Sequence, residues 1–204
     1  MLSRYAILLD GGFVTKKLQI RLGHFPGAAD VAQECQRIAS SPHLANRDLL
    51  RIYFYDASPA RDRLTNPIDG SALDLSATEE FKRHMSLLDT LELTPNFAVR
   101  RGEVVAHGWK LGSNAFKSMI KSPRAPSARD IVPDLEQKGV DLRIGLDIAR
   151  LALREMVDII VVVTGDSDLV PAFRFARREG VRIFLDHLGH GVRRDLKAHA
   201  DILL

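Results

Sequence analysis

Apolar positions along the chain fall into two patterns that alternate: short unbroken runs and stripes at helical spacing. Tyr5-Ala-Ile-Leu-Leu9 is an unbroken run, which predicts a strand buried on both faces. Asp10-Gly11-Gly12 follows it, where two glycines permit a tight turn and close backbone approach. Helical spacing then runs from Phe13 to about Leu22. Asp30 to Gln33 has the form of a capping box that opens a helix to about Ser40. A second strand is predicted from about Leu49 to Tyr55, with Asp56 at its end. Residues 58–75, with Pro59, Pro67 and Gly70, read as a loop, and Ser76 to Glu79 as a second capping box before a helix to about Leu91. Phe97 to Ala106 predicts a strand that bends or doubles into a hairpin. Residues 108–135, with three prolines among small and basic residues, predict a long, partly mobile surface excursion.

The last third is the most regular. Asp141 to about Glu155 carries the stripe Ile144, Ile148, Leu151, Ala152. Asp158-Ile-Ile-Val-Val-Val163 is a fully buried strand, Thr164 to Asp168 a turn, and Leu169 to Glu179 a helix closed by Gly180. Val181 to Leu185 is a further strand, and a short helix is expected from near Arg193. Strands alternating with helices imply an α/β fold with a mostly parallel, doubly wound sheet. Ligands of such sheets gather beyond the carboxyl ends of the strands.

At 204 residues the chain fits one α/β domain, expected to span 1–204 with residues 97–135 as an irregular basic excursion. No apolar run approaches a membrane span, and the N-terminal apolar stretch is too short for a signal peptide. Cys35 is the one cysteine, which excludes a disulfide framework and a cysteine-rich zinc site and points to a reduced cytoplasmic setting. It reads as a packing residue on a helix face. The net charge of +3 is compatible with a nucleic-acid partner without requiring one.

The chemistry lies in acids at strand ends. Asp10 ends one buried strand, and Asp166 follows another with Asp168 two residues on. Carboxylates there are costly unless neutralised, and converging ones raise one another's pKa or bind a cation. Oxygen-only ligands suit Mg²⁺ or Mn²⁺. Each acid also has a structural reading. Asp168 or Asp141 could cap a helix, Asp10 could orient the glycine turn, and Asp147 could pair with Arg150 or Arg143. Asp56 and Asp186 read mostly as turn residues. The second acid of a haloacid-dehalogenase-like site is missing, since position 12 is Gly, and the lysine of a receiver-like site is missing because the late strand ends Asp186-His187. Phosphate-binding glycine loops, a nucleophile elbow and zinc-site histidine spacing are absent too. His187 and His190 read as surface residues.

Leu9-Asp-Gly-Gly12, Arg51-Ile-Tyr-Phe-Tyr-Asp-Ala57, Gln137-Lys-Gly-Val-Asp141 with Leu146-Asp147, Thr164-Gly-Asp-Ser-Asp168 and Glu179-Gly-Val181 occur in this order. The chain thereby resembles the NYN domain family, of the LabA-like branch, within the PIN-like nuclease fold. The resemblance implies a Rossmann-like three-layer α/β/α domain with an acidic pocket that holds Mg²⁺ or Mn²⁺ and cleaves RNA. It implies Asp10, Asp147 and Asp166 as the metal-holding acids and Asp141 and Asp168 as supporting catalytic members. Many members carry Asn three residues after the first Asp; here Phe13 stands there.

From Phe97 to Arg129 there are seven Lys/Arg and one acid, Glu103, interleaved with His107, Trp109 and Phe116. Such a stretch suits phosphate contact and base stacking on single-stranded RNA; a solvated loop held down by Trp109 is the other reading. Arg100, Arg101, Lys110, Lys117 and Lys121, with Lys138 and Ser167 from the motifs, are the expected nucleic-acid contacts. The leading expectation is a metal-dependent ribonuclease. A non-catalytic RNA- or protein-binding regulator and a small-molecule phosphoesterase stay open, as does homo-oligomerisation.

Overall fold

A computed structural model describes residues 3–204. The chain runs β1 (Arg4–Asp10), α1 (Gly11–Leu22), α2 (Ala28–Ala39), β2 (Asp48–Ser58), β3 (Arg63–Thr65), β4 (Ala72–Asp74), α3 (Glu79–Glu92), β5 (Phe97–Leu111), α4 (Ser113–Lys121), β6 (Ile131–Lys138), α5 (Val140–Leu153), β7 (Ile159–Val163), α6 (Val170–Arg178), β8 (Arg182–Asp186), α7 (Arg194–Ala198) and β9 (Ile202–Leu203). It divides into two compact units, one of Met1–Asp56, Ser86–Gly102 and Gly139–Leu204, the other of Ala57–Met85 and Glu103–Lys138.

In the first unit the strand order is β5-β2-β1-β7-β8-β9. β1 pairs parallel with both β2 and β7, and β8 lies parallel between β7 and β9. The two unbroken apolar runs of the sequence are the central strands, with Ala6–Leu9 and all of β7 fully buried. Each such Leu, Ile or Val contributes about 1.5–3 kcal/mol through burial. Val14 and Leu18 of α1, Val31, Cys35 and Ile38 of α2, and Leu87, Leu88 and Leu91 of α3 belong to the same core. Cys35 is thus a packing residue, as expected, and burial pushes its thiol up to about 12.

Gly11 is where α1 meets β2. A β-carbon there would stand 2.6 Å from the Tyr55 carbonyl oxygen and 2.9 Å from Asp56 Cβ. The helix starts directly at this residue, without the separate glycine turn expected, because the Asp10 carboxylate accepts from the Phe13 N–H at 3.1 Å and caps it.

Two helix starts differ from expectation. α2 begins at Ala28, and Asp30 reaches back to accept from the Gly27 N–H at 2.8 Å, so it is the acid of the first turn rather than the cap. α3 is capped by Thr78, whose hydroxyl accepts from the Phe81 N–H. Asp186 is no turn residue only: it is buried and ion-paired with Arg37, which also holds Glu34, itself paired with Arg21. This chain of charges ties α1 and α2 to the end of β8.

In the second unit, β5 continues and pairs antiparallel with β6, and β3 and β4 form a short hairpin inside the expected loop. Residues 108–135 are more regular than expected. They hold the end of β5, α4 and the start of β6. The prolines fall where they do no harm, with Pro123 and Pro126 beyond the end of α4 and Pro133 in β6, a strand paired on one side only. Trp109 holds this segment down, donating its indole N–H to the Thr65 carbonyl at 2.9 Å. Among the described residues no helix is long and apolar enough to cross a membrane.

Candidate active site at the ends of β1 and β7

β1 and β7 run parallel with Leu9 beside Val163, so the residues that follow, Asp10 and Thr164, leave the sheet together. Thr164 is fully buried, and its hydroxyl donates to Asp10 Oδ2 at 3.0 Å while accepting from the Asp166 N–H at 3.0 Å. One side chain therefore couples the acids of two distant segments. The other Asp10 oxygen accepts from Phe13 N–H, so both are held.

Asp166, not Asp168, caps the turn after β7. Its Oδ1 accepts from the Asp168 N–H at 2.9 Å, which leaves Asp168 exposed in the first turn. Asp141 does not cap α5 either. Gly139, with φ 76°, occupies that position, and Asp141 lies in the first turn, where a negative charge suits the helix dipole.

The electrostatics bind four of the five acids into one group. The Asp10 carboxyl is pushed up to about 6, first by burial and then by the charges of Asp141 and Asp166; its bonds to Phe13 and Thr164 act in the opposite sense. Asp141 is raised by burial, Asp166 and Asp168. Repulsion among the acids was the expected cause, and burial proves the larger one.

Asp147 stands elsewhere. Its Oδ2 accepts from the Tyr55 hydroxyl at 2.9 Å and from Arg100 Nε at 3.1 Å, and neither Arg143 nor Arg150 is its partner. Six residues along α5 place it about 9 Å up the axis from Asp141 and about 120° round it. Among the described residues no three His, Cys, Asp or Glu side chains are grouped so as to enclose a metal ion. The expected set of Asp10, Asp147 and Asp166 is therefore not brought together. The donor chemistry of Asp10, Asp141 and Asp166 does suit a hard cation: all-oxygen, mutually repelling and partly desolvated.

The expected RNA contacts are scattered and mostly neutralised. Arg100 pairs with Asp147 and lies 5.4 Å over the Tyr53 ring. Arg101 pairs with Asp89 and Glu92. In the second unit Lys110 pairs with Asp134, Lys138 with Glu136, and Arg124 with Asp130. Lys117 and Lys121 stand exposed on α4. Ser167 accepts from Arg193 at 3.3 Å.

Three residues beside the acids were not expected there; His190 is exposed, as its reading as a surface residue had it. Lys16, Lys17 and His190 share with Phe13, Gly165, Asp10 and Asp166 a cavity of about 290 Å³. Lys17 donates to His190 Nδ1 at 2.9 Å. The adjacent pair Lys16-Lys17 on a helix opened by Asp10 was the available signal. His190 reaches the site only through the turn after β8, and no spacing announces that. His187 is less exposed than expected, with its Nδ1 buried and without a hydrogen-bond partner.

The NYN domain family model matches residues 92–201, a span that includes Asp141, Asp147, Asp166 and Asp168. No curated protein matches the chain. Among solved structures, the crystal structure of a protein of unknown function from Vibrio parahaemolyticus is similar at 15% identity with a TM-score of 0.52, covering 100% of this chain and 92% of that one. That likeness bears on the fold, and it agrees with a mostly parallel sheet flanked by helices. The family match covers more than half of the residues, and the chain belongs to the NYN domain family.

Proposed function

We propose that this NYN domain is a metal-dependent ribonuclease that hydrolyses RNA phosphodiester bonds at the ends of β1 and β7. The observation that carries the reading is the Thr164 hydroxyl joining Asp10 to the Asp166 backbone, with Asp141 close enough to raise the Asp10 pKa. Asp10 and Asp166, supported by Asp141 and Asp168, would hold Mg²⁺ or Mn²⁺. The ion would supply water activation and neutralise charge on the phosphate. The chain's own residues orient the acceptors: Thr164 and the Phe13 N–H fix both oxygens of Asp10. Asp147 takes a positioning role in this reading, holding Arg100 and Tyr55 rather than the ion. Lys138-Gly-Val-Asp141 and Gly165-Asp-Ser-Asp168 further support a place in the LabA-like branch, and the single buried cysteine suits a cytoplasmic setting.

A second reading, an RNA- or protein-binding module without cleavage, is favoured by the finding that among the described residues no three acids are grouped tightly enough to enclose an ion. Labelled single-stranded RNA incubated with Mg²⁺, Mn²⁺ or EDTA separates the two. The ribonuclease reading expects cleavage with either ion and none in EDTA. Intact RNA under all three conditions, with binding retained, would favour the module.

A further inference from the structure

We infer that Phe13, Lys17 and His190 form a subsite for one nucleotide of single-stranded RNA, and that the strand leaves the acidic site along α1. The inference rests on the ribonuclease reading for its substrate class and adds where the strand lies.

Phe13 stands half-buried at the edge of the cavity that Asp10 and Asp166 share. Its ring is backed by Gly165. Lys17 Nζ lies 5.6 Å from the ring centroid, and the His190 ring lies 6.1 Å away, tilted by 57°. An aromatic platform beside a cation and an imidazole serves both parts of a nucleotide, the base by stacking and the phosphate by charge. The Lys17 ammonium is directed at a ring nitrogen rather than a carboxylate, so no anion of the chain is its hydrogen-bond partner there.

The cavity does not stop there. A second one, of about 270 Å³, is bounded by Leu18, Ile20, Arg21, Leu188 and Gly189, and it shares Lys17 and His190 with the first. The two cavities have the Lys17–His190 pair in common; the first is lined by Asp10 and Asp166, the second by Ile20, which is 70% exposed. Negative charge at the acids and cations at Lys16 and Lys17 would set where along the strand a phosphate rests. Phosphates are repelled by Asp10 and Asp166 unless a metal ion is bound and are attracted at Lys16 and Lys17. Phe13 in place of a polar residue converts a point contact into a stacking surface that any base can use.

The test uses a single-stranded oligoribonucleotide carrying 2-aminopurine, in EDTA so that cleavage cannot interfere. Fluorescence anisotropy reads affinity, and quenching reads stacking. The wild type is expected to bind and quench. Phe13→Leu should lose the quenching and bind about five-fold or more weakly, the effect of one lost base stack. Lys17→Ala should bind more weakly and flatten the salt dependence by about 0.7 in log–log slope, as for one single-strand phosphate. Circular dichroism checks the fold, and Lys17→Ala keeps the test open should Phe13→Leu unfold. Wild-type binding and quenching retained in both variants would overturn the subsite, as would a wild type that binds only duplex RNA or no RNA. If the variants behave as expected but the wild type cleaves with neither Mg²⁺ nor Mn²⁺, the subsite stands and the ribonuclease reading falls. Metal-dependent cleavage with unaltered binding in both variants means the reverse: the ribonuclease reading stands and the subsite falls.

Discussion

Phe13 lies so close on Gly165 that a β-carbon at residue 165 would stand 2.7 Å from Phe13 Cε2. Gly11 is crowded as well, but by the Tyr55 carbonyl oxygen at 2.6 Å, which is backbone of β2. A ring can swing aside, whereas a central strand cannot. Gly11→Ala is therefore expected to cost about 1–3 kcal/mol, the range for overpacking. Gly165→Ala should cost less, yet displace the ring of Phe13 and weaken 2-aminopurine quenching. Urea denaturation of both variants, read alongside that quenching, checks the pair. Equal stability losses would contradict the distinction.

Asp10 and Asp147 should separate in mutants. Asp10→Asn or Asp166→Asn removes a charge from the proposed ion site, and cleavage should fall by about 100-fold or more, since even outer-shell partners of a metal cost 10–100-fold. Folding should survive, because repulsion with Asp141 is relieved. Asp147→Asn instead leaves Arg100 without its anion. It should lower stability by about 1.5–3 kcal/mol, as for a hydrogen bond to a charged group, with a smaller loss of cleavage than Asp10→Asn. Rates in Mn²⁺ and melting temperatures on the same preparations decide. A larger cleavage defect in Asp147→Asn would return Asp147 to the metal site.

Acid should weaken the link between α1, α2 and β8. Arg21 and Arg37 hold the Glu34 carboxyl below its usual value, against the effect of burial. A depressed folded pKa means stability that is present above the unfolded value of 4.5 and lost as the pH falls through the folded one. Glu34→Gln should be less stable than the wild type at pH 7 by about 1.5–3 kcal/mol. The difference should shrink below about pH 4.5. Thermal melts of both proteins from pH 7 to 3 measure it, and a constant gap across that range would contradict the assignment.

Charge reversal in the second unit should act unequally. Lys110 is paired with Asp134, whereas Lys117 and Lys121 are exposed on α4. Lys117→Glu with Lys121→Glu should weaken RNA binding and lower the salt slope by about 0.7 for each phosphate no longer neutralised. Lys110→Glu should do less in binding, because its charge is already balanced. Titrations at several salt concentrations test this, and an equal effect of all three would show that local pairing does not govern RNA binding.

The fold was legible where burial on both faces left a simple signal. Tyr5-Ala-Ile-Leu-Leu9 and Ile159–Val163 are strands because nothing polar could sit there, and the acids following them are placed by that fact alone. Asp147 was not legible. Its partners, Tyr55 and Arg100, lie 92 and 47 residues away, and only the folded sheet brings them together. The charge balance of the basic stretch was not legible for a related reason: its pairing acids, Asp89, Glu92, Asp130, Asp134 and Glu136, lie just outside residues 97–129. Phe13 was legible as a departure from the family pattern, but its seat on Gly165 was not, since that contact joins two ends of the chain.

The hydrogen bond from Thr164 to Asp10 spans 154 residues. β2, close in sequence, pairs with one edge of β1, but the other edge is filled only by β7, which lies far along the chain. Contacts of such separation form slowly. Asp10 and Asp166 come together only when β1 and β7 lie side by side. The acidic site is therefore a product of the completed tertiary structure, and a fragment of the chain that lacks either β1 or β7 cannot form it.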